Sequence, residues 1–132
     1  MNFDFIPFKL NTDLSCFKKL IRYISSDNGV ELFKADEALR KPVLGIPVST
    51  VNLYFFEGNL ITVYIHLEEN PENIELVNTT LEQSITRPGK ALKPDLGNGY
   101  YWKAENSTLA LLQDMVKRKL YLYFSLNDFS VL

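Results

Sequence analysis

Apolar and polar residues alternate through residues 51–67 in the pattern of two adjacent β-strands. Successive side chains of a strand point to opposite faces, so the length of the connecting turn decides which residues share a face. A two-residue loop would mix apolar and polar side chains on both faces, whereas a three-residue loop, 57–59, separates them, and Gly58 or Asn59 accepts the left-handed conformation that such a loop needs. The pattern therefore predicts one apolar face, formed by Val51, Leu53, Phe55, Ile61, Val63 and Ile65, and one face of polar-tipped or mixed residues, formed by Asn52, Tyr54, Phe56, Leu60, Thr62, Tyr64 and His66.

Apolar residues at helical spacing predict two helices. The first begins after a capping residue at Asn11 or Thr12, ends at residues 27–29, and carries the stripe Leu14, Phe17, Leu20, Ile21 and Ile24. The second begins at Asn70 and Pro71 and ends near Thr86, because Arg87 precedes a proline. Its apolar stripe is Ile74, Val77, Leu81 and Ile85, with Asn78 among the residues that face away.

The remaining segments predict further strands and loops. Residues 3–10 predict an edge strand interrupted at Pro7, and short strands are expected at residues 30–34, 100–102 and 120–125. Residues 89–99, rich in Gly and Pro, predict a loop, and residues 127–132 are expected to fray. Residues 107–119 are ambiguous, because a helix with Ser107 as its cap and a strand followed by a turn both fit the pattern.

The order of these elements predicts a single α+β domain spanning residues 1–132. We expect an antiparallel twisted sheet of about five to seven strands with two helices packed on one face, a two-layer sandwich. The stretches VNLYFFEGNLITVYIHLEE and YYWKAENSTLALL resemble those of small, largely uncharacterised bacterial α+β proteins that include immunity-type proteins of toxin systems. The resemblance covers roughly residues 51–125, and it implies a strand at residues 108–112.

Composition and charge narrow the class of protein. The chain is 46% hydrophobic and 23% charged, as in a globular domain, and its net charge of -2 lacks the basic surface of a nucleic-acid binder. One cysteine, Cys16, excludes an internal disulfide and suits a reducing compartment. The N-terminal residues show no signal peptide or membrane anchor, so we expect a cytoplasmic protein with neither nucleic-acid nor membrane partners.

The residue types needed for catalysis or metal binding are scarce. His66, with Glu68 on the same predicted face, is the one histidine, and Cys16 is expected to be buried or half-buried on the other side of the core. Tetrahedral zinc needs more Cys and His ligands than the chain has, and no glycine-rich phosphate loop precedes a helix. The sequence therefore predicts no enzyme, no catalytic residue, no metal site and no cofactor.

An aromatic surface is the remaining functional feature, because tyrosine and tryptophan are frequent in protein interfaces. We expect a protein partner to bind the outer face of the sheet through Tyr54, Tyr64, His66, Tyr100, Trp102, Tyr121 and Tyr123. The resemblance implies toxin neutralisation as the concrete role. Two alternatives remain open: self-association through the same face, and a small-molecule binder or enzyme with an aromatic pocket under the loop 89–99.

Overall fold

Within residues 2–132, which the computed structural model describes, the polypeptide forms one eight-stranded antiparallel sheet and one α-helix. The strands are β1 (Ile21–Asp27), β2 (Val30–Ala35), β3 (Val48–Phe56), β4 (Asn59–Leu67), β5 (Lys90–Ala91), β6 (Asn98–Lys103), β7 (Ser107–Asp114) and β8 (Lys119–Leu126), and the helix is α1 (Ile74–Ile85). Their order across the sheet is β1-β2-β3-β4-β8-β7-β6-β5. Short 3-10 turns occupy Leu14–Cys16, Lys18–Leu20, Glu37–Leu39, Pro71–Asn73, Pro94–Leu96 and Asn127–Phe129.

The prediction of two helices on a sheet of five to seven strands is wrong, although the antiparallel sheet itself is confirmed. The predicted first helix is replaced by two 3-10 turns and strand β1. Lys18 has a positive φ of 34°, which interrupts a helix, and Asn28 and Gly29 have φ of 51° and 81°. Those two residues form a tight hairpin turn between β1 and β2, a role for which Asn-Gly is strongly preferred. The helical spacing of the preceding residues predicts the end of a helix at these positions, and that prediction is wrong.

The predicted N-terminal edge strand is also wrong. Residues 2–10 form irregular turns, and their apolar side chains Phe3, Ile6 and Phe8 are buried in the core without joining the sheet. The ring of Phe3 packs edge-on against Phe124 at 5.7 Å. This segment therefore covers part of the same sheet face as α1, and it supplies the apolar contacts that a second helix was expected to make.

The hairpin of β3 and β4 has one apolar face and one mixed face, as predicted, but its turn and register differ from the prediction. Its loop is two residues long, Glu57 and Gly58, so the prediction of a three-residue loop is wrong. A bulge follows, because Tyr54 pairs with Thr62 while Phe55 pairs with Leu60. The bulge exchanges the roles of two neighbours, since Leu60 joins the apolar face and Ile61 lies on the outer face. The fully buried residues of this inner face are Val51, Leu53, Phe55, Leu60, Val63 and Ile65.

Helix α1 confirms the prediction from capping and stripe residues. The Asn70 side chain accepts a hydrogen bond from the backbone N–H of Glu72 at 3.0 Å, and the chain leaves the helix at Thr86, which has a left-handed φ of 61°. The predicted stripe is buried against the sheet: Ile74, Val77, Leu81 and Ile85. Asn78, expected to face away, is buried as well.

The C-terminal third resolves the ambiguity at residues 107–119 in favour of the strand. Strand β7 ends at Asp114, and a turn leads into β8. The last residues do not fray: the Asn127 side chain accepts a hydrogen bond from Thr108 at 2.6 Å and donates one to the backbone oxygen of Ala104 at 3.0 Å. The segment 127–132 then folds back over the outer face of the sheet, where the ring of Phe129 packs on Phe56.

Candidate functional site

The outer face of the sheet carries a cluster of aromatic side chains on three neighbouring strands. We define the aromatic cluster as Tyr54 on β3, Tyr64 and His66 on β4, and Tyr121 and Tyr123 on β8. Tyr64 lies opposite Tyr123, with ring centres 5.0 Å apart, and His66 lies opposite Tyr121 at 5.4 Å. Tyr54 packs edge-on against Tyr64 at 5.8 Å. Five of the seven predicted partner-binding residues are therefore adjacent.

The C-terminal segment 127–132 covers one end of the aromatic cluster. Tyr123 is only 1% exposed, and its hydroxyl oxygen accepts a hydrogen bond from the backbone N–H of Val131 at 3.1 Å. Between this segment and the sheet lies a shallow depression of about 250 Å³, lined by Val30, Tyr54, Ile61, Thr62, Tyr64, Tyr123, Phe129 and Val131. Tyr54, Tyr64, His66 and Tyr121 remain partly exposed beside it.

Three hydroxyls of the aromatic cluster, those of Tyr54, Tyr64 and Tyr121, stay protonated at neutral pH. Burial raises the pKa of Tyr64 to about 12, with the neighbouring Tyr123 and Tyr54 adding to the shift. Burial also raises the pKa of Tyr54 and of Tyr121, the latter with a contribution from Asp114. No other residue in the range 2–132 forms a hydrogen bond with the hydroxyls of Tyr54, Tyr64 or Tyr121. Three neutral phenol groups are thus free to donate to a bound molecule.

His66 has a partner that the sequence pattern did not reveal. Its Nδ1 lies 2.5 Å from the hydroxyl oxygen of Ser49, a residue at the bulge of β3. Burial lowers the pKa of His66, helped by the positive charge of Lys119 and opposed by Glu68, so the ring is neutral at pH 7. A hydroxyl beside an imidazole is half of a nucleophile–base arrangement. Among the described residues no carboxylate forms a hydrogen bond with the ring, so Glu68, which shares the predicted face with His66, is not its hydrogen-bond partner.

Tyr100 and Trp102 lie on the opposite face of the sheet from the aromatic cluster. Tyr100 pairs with Leu111 and Trp102 with Leu109, residues that point toward α1. The Tyr100 hydroxyl donates to the carboxylate of Glu75 at 2.5 Å, which raises the pKa of Tyr100 to about 12.

Trp102 is itself largely enclosed. It is 2% exposed and donates from Nε1 to the backbone oxygen of Arg87 at 3.1 Å. The sheet separates both residues from the aromatic cluster, so the seven predicted partner-binding residues do not form one surface.

The loop 89–99 lies at the β6 edge of the sheet. Its residues 90–91 form the edge strand β5, and the backbone N–H of Leu92 donates to Gly99 at 3.0 Å. A cleft of about 260 Å³ beside it is lined by Arg87, Pro88, Lys90, Tyr101, Trp102 and Lys103. That lining includes neither His66 nor a carboxylate, the two groups that would give such a pocket acid–base chemistry.

Metal-binding clusters, membrane-spanning helices and the cysteine are the other candidate features within residues 2–132. No three His, Cys, Asp or Glu side chains of this range lie close enough together to hold a metal ion. No helix in the same range has the length and apolar character needed to cross a membrane. Cys16 is exposed, so the expectation of a buried thiol is wrong, because the helix that was to bury it does not form.

Comparison of the chain with protein-family models, with curated proteins and with solved structures finds no match. The class of protein is therefore defined by the structure itself: an eight-stranded antiparallel sheet with one face covered by a helix and the N-terminal segment, and one face that exposes aromatic side chains.

Proposed function

We propose that this protein is a non-enzymatic interaction module that binds another protein through the aromatic cluster. One observation carries the proposal: Tyr54, Tyr64, His66 and Tyr121 are partly exposed side by side on the sheet face opposite α1, beside the part that the segment 127–132 covers. Aromatic side chains of this kind bury a large area on binding and keep a polar group for a hydrogen bond, which is why they are frequent among the residues that dominate binding energy.

The geometry of the aromatic cluster favours binding with a small entropic cost. Each ring stands on a strand and packs against a neighbouring ring at 5.0 to 5.8 Å, so its orientation is set before a partner arrives. The depression has room for an apolar side chain of the partner, and Tyr54 and Tyr64, whose hydroxyls are free, belong to its lining. A partner surface with one protruding apolar residue and nearby hydrogen-bond acceptors fits this arrangement.

Toxin neutralisation in the bacterial cytoplasm is the concrete form of the proposal. This role is suggested by the resemblance of residues 51–125 to immunity-type proteins. In this form of the proposal, the partner is a toxic protein. Neutralisation requires only that the protein occupy the toxin's surface tightly, without catalysis. The outer face fits this requirement, because no carboxylate of the described residues joins Ser49 and His66 to complete a catalytic relay.

The test compares two variants with matched changes on opposite sides of the molecule. In the first, Tyr54→Ala and Tyr121→Ala remove two partly exposed rings and leave Tyr123 and the segment 127–132 in place. In the control, Leu76→Ala removes a 65% exposed apolar side chain from α1. Proteins captured from the native host with the wild type are purified, and their affinities for all three forms are measured after circular dichroism has shown that each form is folded.

We expect a captured partner to bind the control like the wild type and the tyrosine variant at least about thirtyfold more weakly, since two interface tyrosines that each contribute more than about 1 kcal/mol together contribute more than about 2 kcal/mol. For toxin neutralisation, the partner expressed alone arrests growth, and coexpression with the wild type restores it. Equal affinity for the tyrosine variant and the wild type would refute binding through the aromatic cluster. A harmless partner would refute the toxin assignment while leaving the interaction surface intact.

A further inference from the structure

Strand β1 forms a free edge of the sheet. It pairs with β2 alone, and the opposite edge is the two-residue strand β5. Six of the seven residues of β1 are exposed. Apart from the ladder to β2, no hydrogen bond within residues 2–132 involves a residue of β1. The outward backbone groups of this strand are therefore available to another strand.

The register of β1 identifies which backbone groups point away from β2. Asp27 and Val30 flank a two-residue turn and so form a hydrogen-bonded pair, and hydrogen-bonded and free pairs alternate along an antiparallel ladder. Three residues occupy the alternate positions: Ser26 opposite Glu31, Tyr23 opposite Phe33, and Ile21 opposite Ala35. Their backbone N–H and C=O groups are thus directed toward the free edge.

Two opposite charges on β1 lack partners. Arg22 and Asp27 both lie on the outer face, since their β2 partners Lys34 and Val30 share that face. Within the described residues neither side chain forms an ion pair or a hydrogen bond. Arg22 is in addition directly opposite Lys34, a pairing of like charges that a carboxylate on the other side of Arg22 would offset.

We propose that β1 pairs antiparallel with β1 of a second copy of this chain, with Arg22 of each copy opposite Asp27 of the other. This register places Tyr23 opposite Ser26, so these two residues exchange two hydrogen bonds at each of the two positions, while Ile21 lies beyond the paired stretch. Faces match as well, because Arg22 and Asp27 lie on the outer face while Tyr23 and Ser26 lie on the inner one. The two-fold axis passes between Ile24 and Ser25.

The remaining features of β1 fit a small, reversible interface. Tyr23 is 53% exposed and Ile24 46% exposed, and the pairing brings these apolar groups of both copies to the axis. The bulge at Ile24 interrupts the ladder, as bulges on edge strands do to limit uncontrolled pairing. Pairing between the two copies is therefore confined to the positions on either side of the bulge. An interface this small should be weak, so the fraction of dimer should rise with protein concentration.

The experiment measures sedimentation of the whole chain up to about 1 mM, a concentration that populates a complex with a dissociation constant of about 1 mM. The variants are Arg22→Glu, Asp27→Arg and the double exchange Arg22→Glu/Asp27→Arg. Lys117→Glu, in the turn between β7 and β8, is the matched control because it makes the same change of charge away from the edge. Circular dichroism establishes that each variant is folded.

We expect a wild-type dimer that each single variant weakens at least about tenfold, because each symmetric pair then places like charges opposite one another. The double exchange returns the dissociation constant to within about threefold of the wild type, and Lys117→Glu leaves it unchanged. A monomer at every concentration would overturn the proposal. So would a dimer that tolerates both single changes, or a double exchange that fails to restore association, because either result would exclude this register.

Discussion

Gly99 in β6 lies where only a hydrogen atom fits. A Cβ built on Gly99 would come 1.9 Å from the backbone oxygen of Leu111 in β7 and 3.2 Å from the side chain of Leu92. Carbon and oxygen atoms that are not bonded stay about 3.3 Å apart even in close contacts between strands. Alanine at this position therefore forces β6 away from β7 by more than an ångström, and it breaks ladder hydrogen bonds between the two strands.

The cost of Gly99→Ala follows from these distances. Overpacking costs about 1–3 kcal/mol, and each lost ladder bond adds about 1 kcal/mol, so we expect a loss of about 2–4 kcal/mol in the free energy of unfolding. The control is Gly45→Ala. Gly45 has a positive φ of 80°, but a Cβ at this position would have nothing within 4 Å. The free energy of unfolding of Gly45→Ala should therefore fall only by the cost of a left-handed backbone, about 1–2 kcal/mol.

Urea unfolding followed by circular dichroism measures both variants. With a slope of about 1–3 kcal/mol per molar urea, a difference of about 2 kcal/mol separates their midpoints by roughly 1 M. Gly99→Ala should unfold at the lower concentration. A midpoint equal to or above that of Gly45→Ala would show that β6 and β7 are not as close at Gly99 as the structure places them.

Two further changes test the packing of aromatic residues on each face. Trp102→Phe removes the bond to the backbone oxygen of Arg87 and leaves space under the end of α1, so the free energy of unfolding should fall by about 1–3 kcal/mol; an unchanged urea midpoint would contradict this. Tyr64 has a pKa of about 12 in the folded protein, above the value of about 10 in an unfolded chain. The stability that this shift contributes is complete below pH ~10 and is lost as pH rises through ~12, because the unfolded chain then ionises more readily. Tyr64→Phe should lose less stability than the wild type between pH ~9 and ~11.5, and equal losses in urea midpoint would refute the assignment.

Helix α1 shows where local signals were sufficient. Its start is specified by Asn70 and Pro71 and its end by the residues before Pro88, and the apolar stripe alone identifies the buried side. Residues 11–29 show the opposite. Their helical spacing competes with an Asn-Gly turn. The turn prevails because β1 can pair with β2 along its whole length, from Ile21 opposite Ala35 to Asp27 opposite Val30. That neighbour is a tertiary fact that the spacing of apolar residues does not contain.

The candidate site was predictable in part for the same reason. Alternation along each strand placed Tyr54 with Tyr64, and Tyr121 with Tyr123, but it did not join the two pairs. Pairing of β4 with β8, far apart along the chain, brings Tyr64 opposite Tyr123. Likewise, three aromatic residues in succession at 100–102 leave their faces undecided.

The amino-acid sequence by itself determined the hairpin of β3 and β4, strand β8, the capped helix and the outward tyrosines of these strands, because each follows from the period of side chains along a few residues. Only the tertiary structure decided the rest. It assigned Tyr100 and Trp102 to the helix side, folded the segment 127–132 over Tyr123 and left β1 as a free edge. Those outcomes depend on which strands become neighbours, and that choice is made by burial of the whole core rather than by any local pattern.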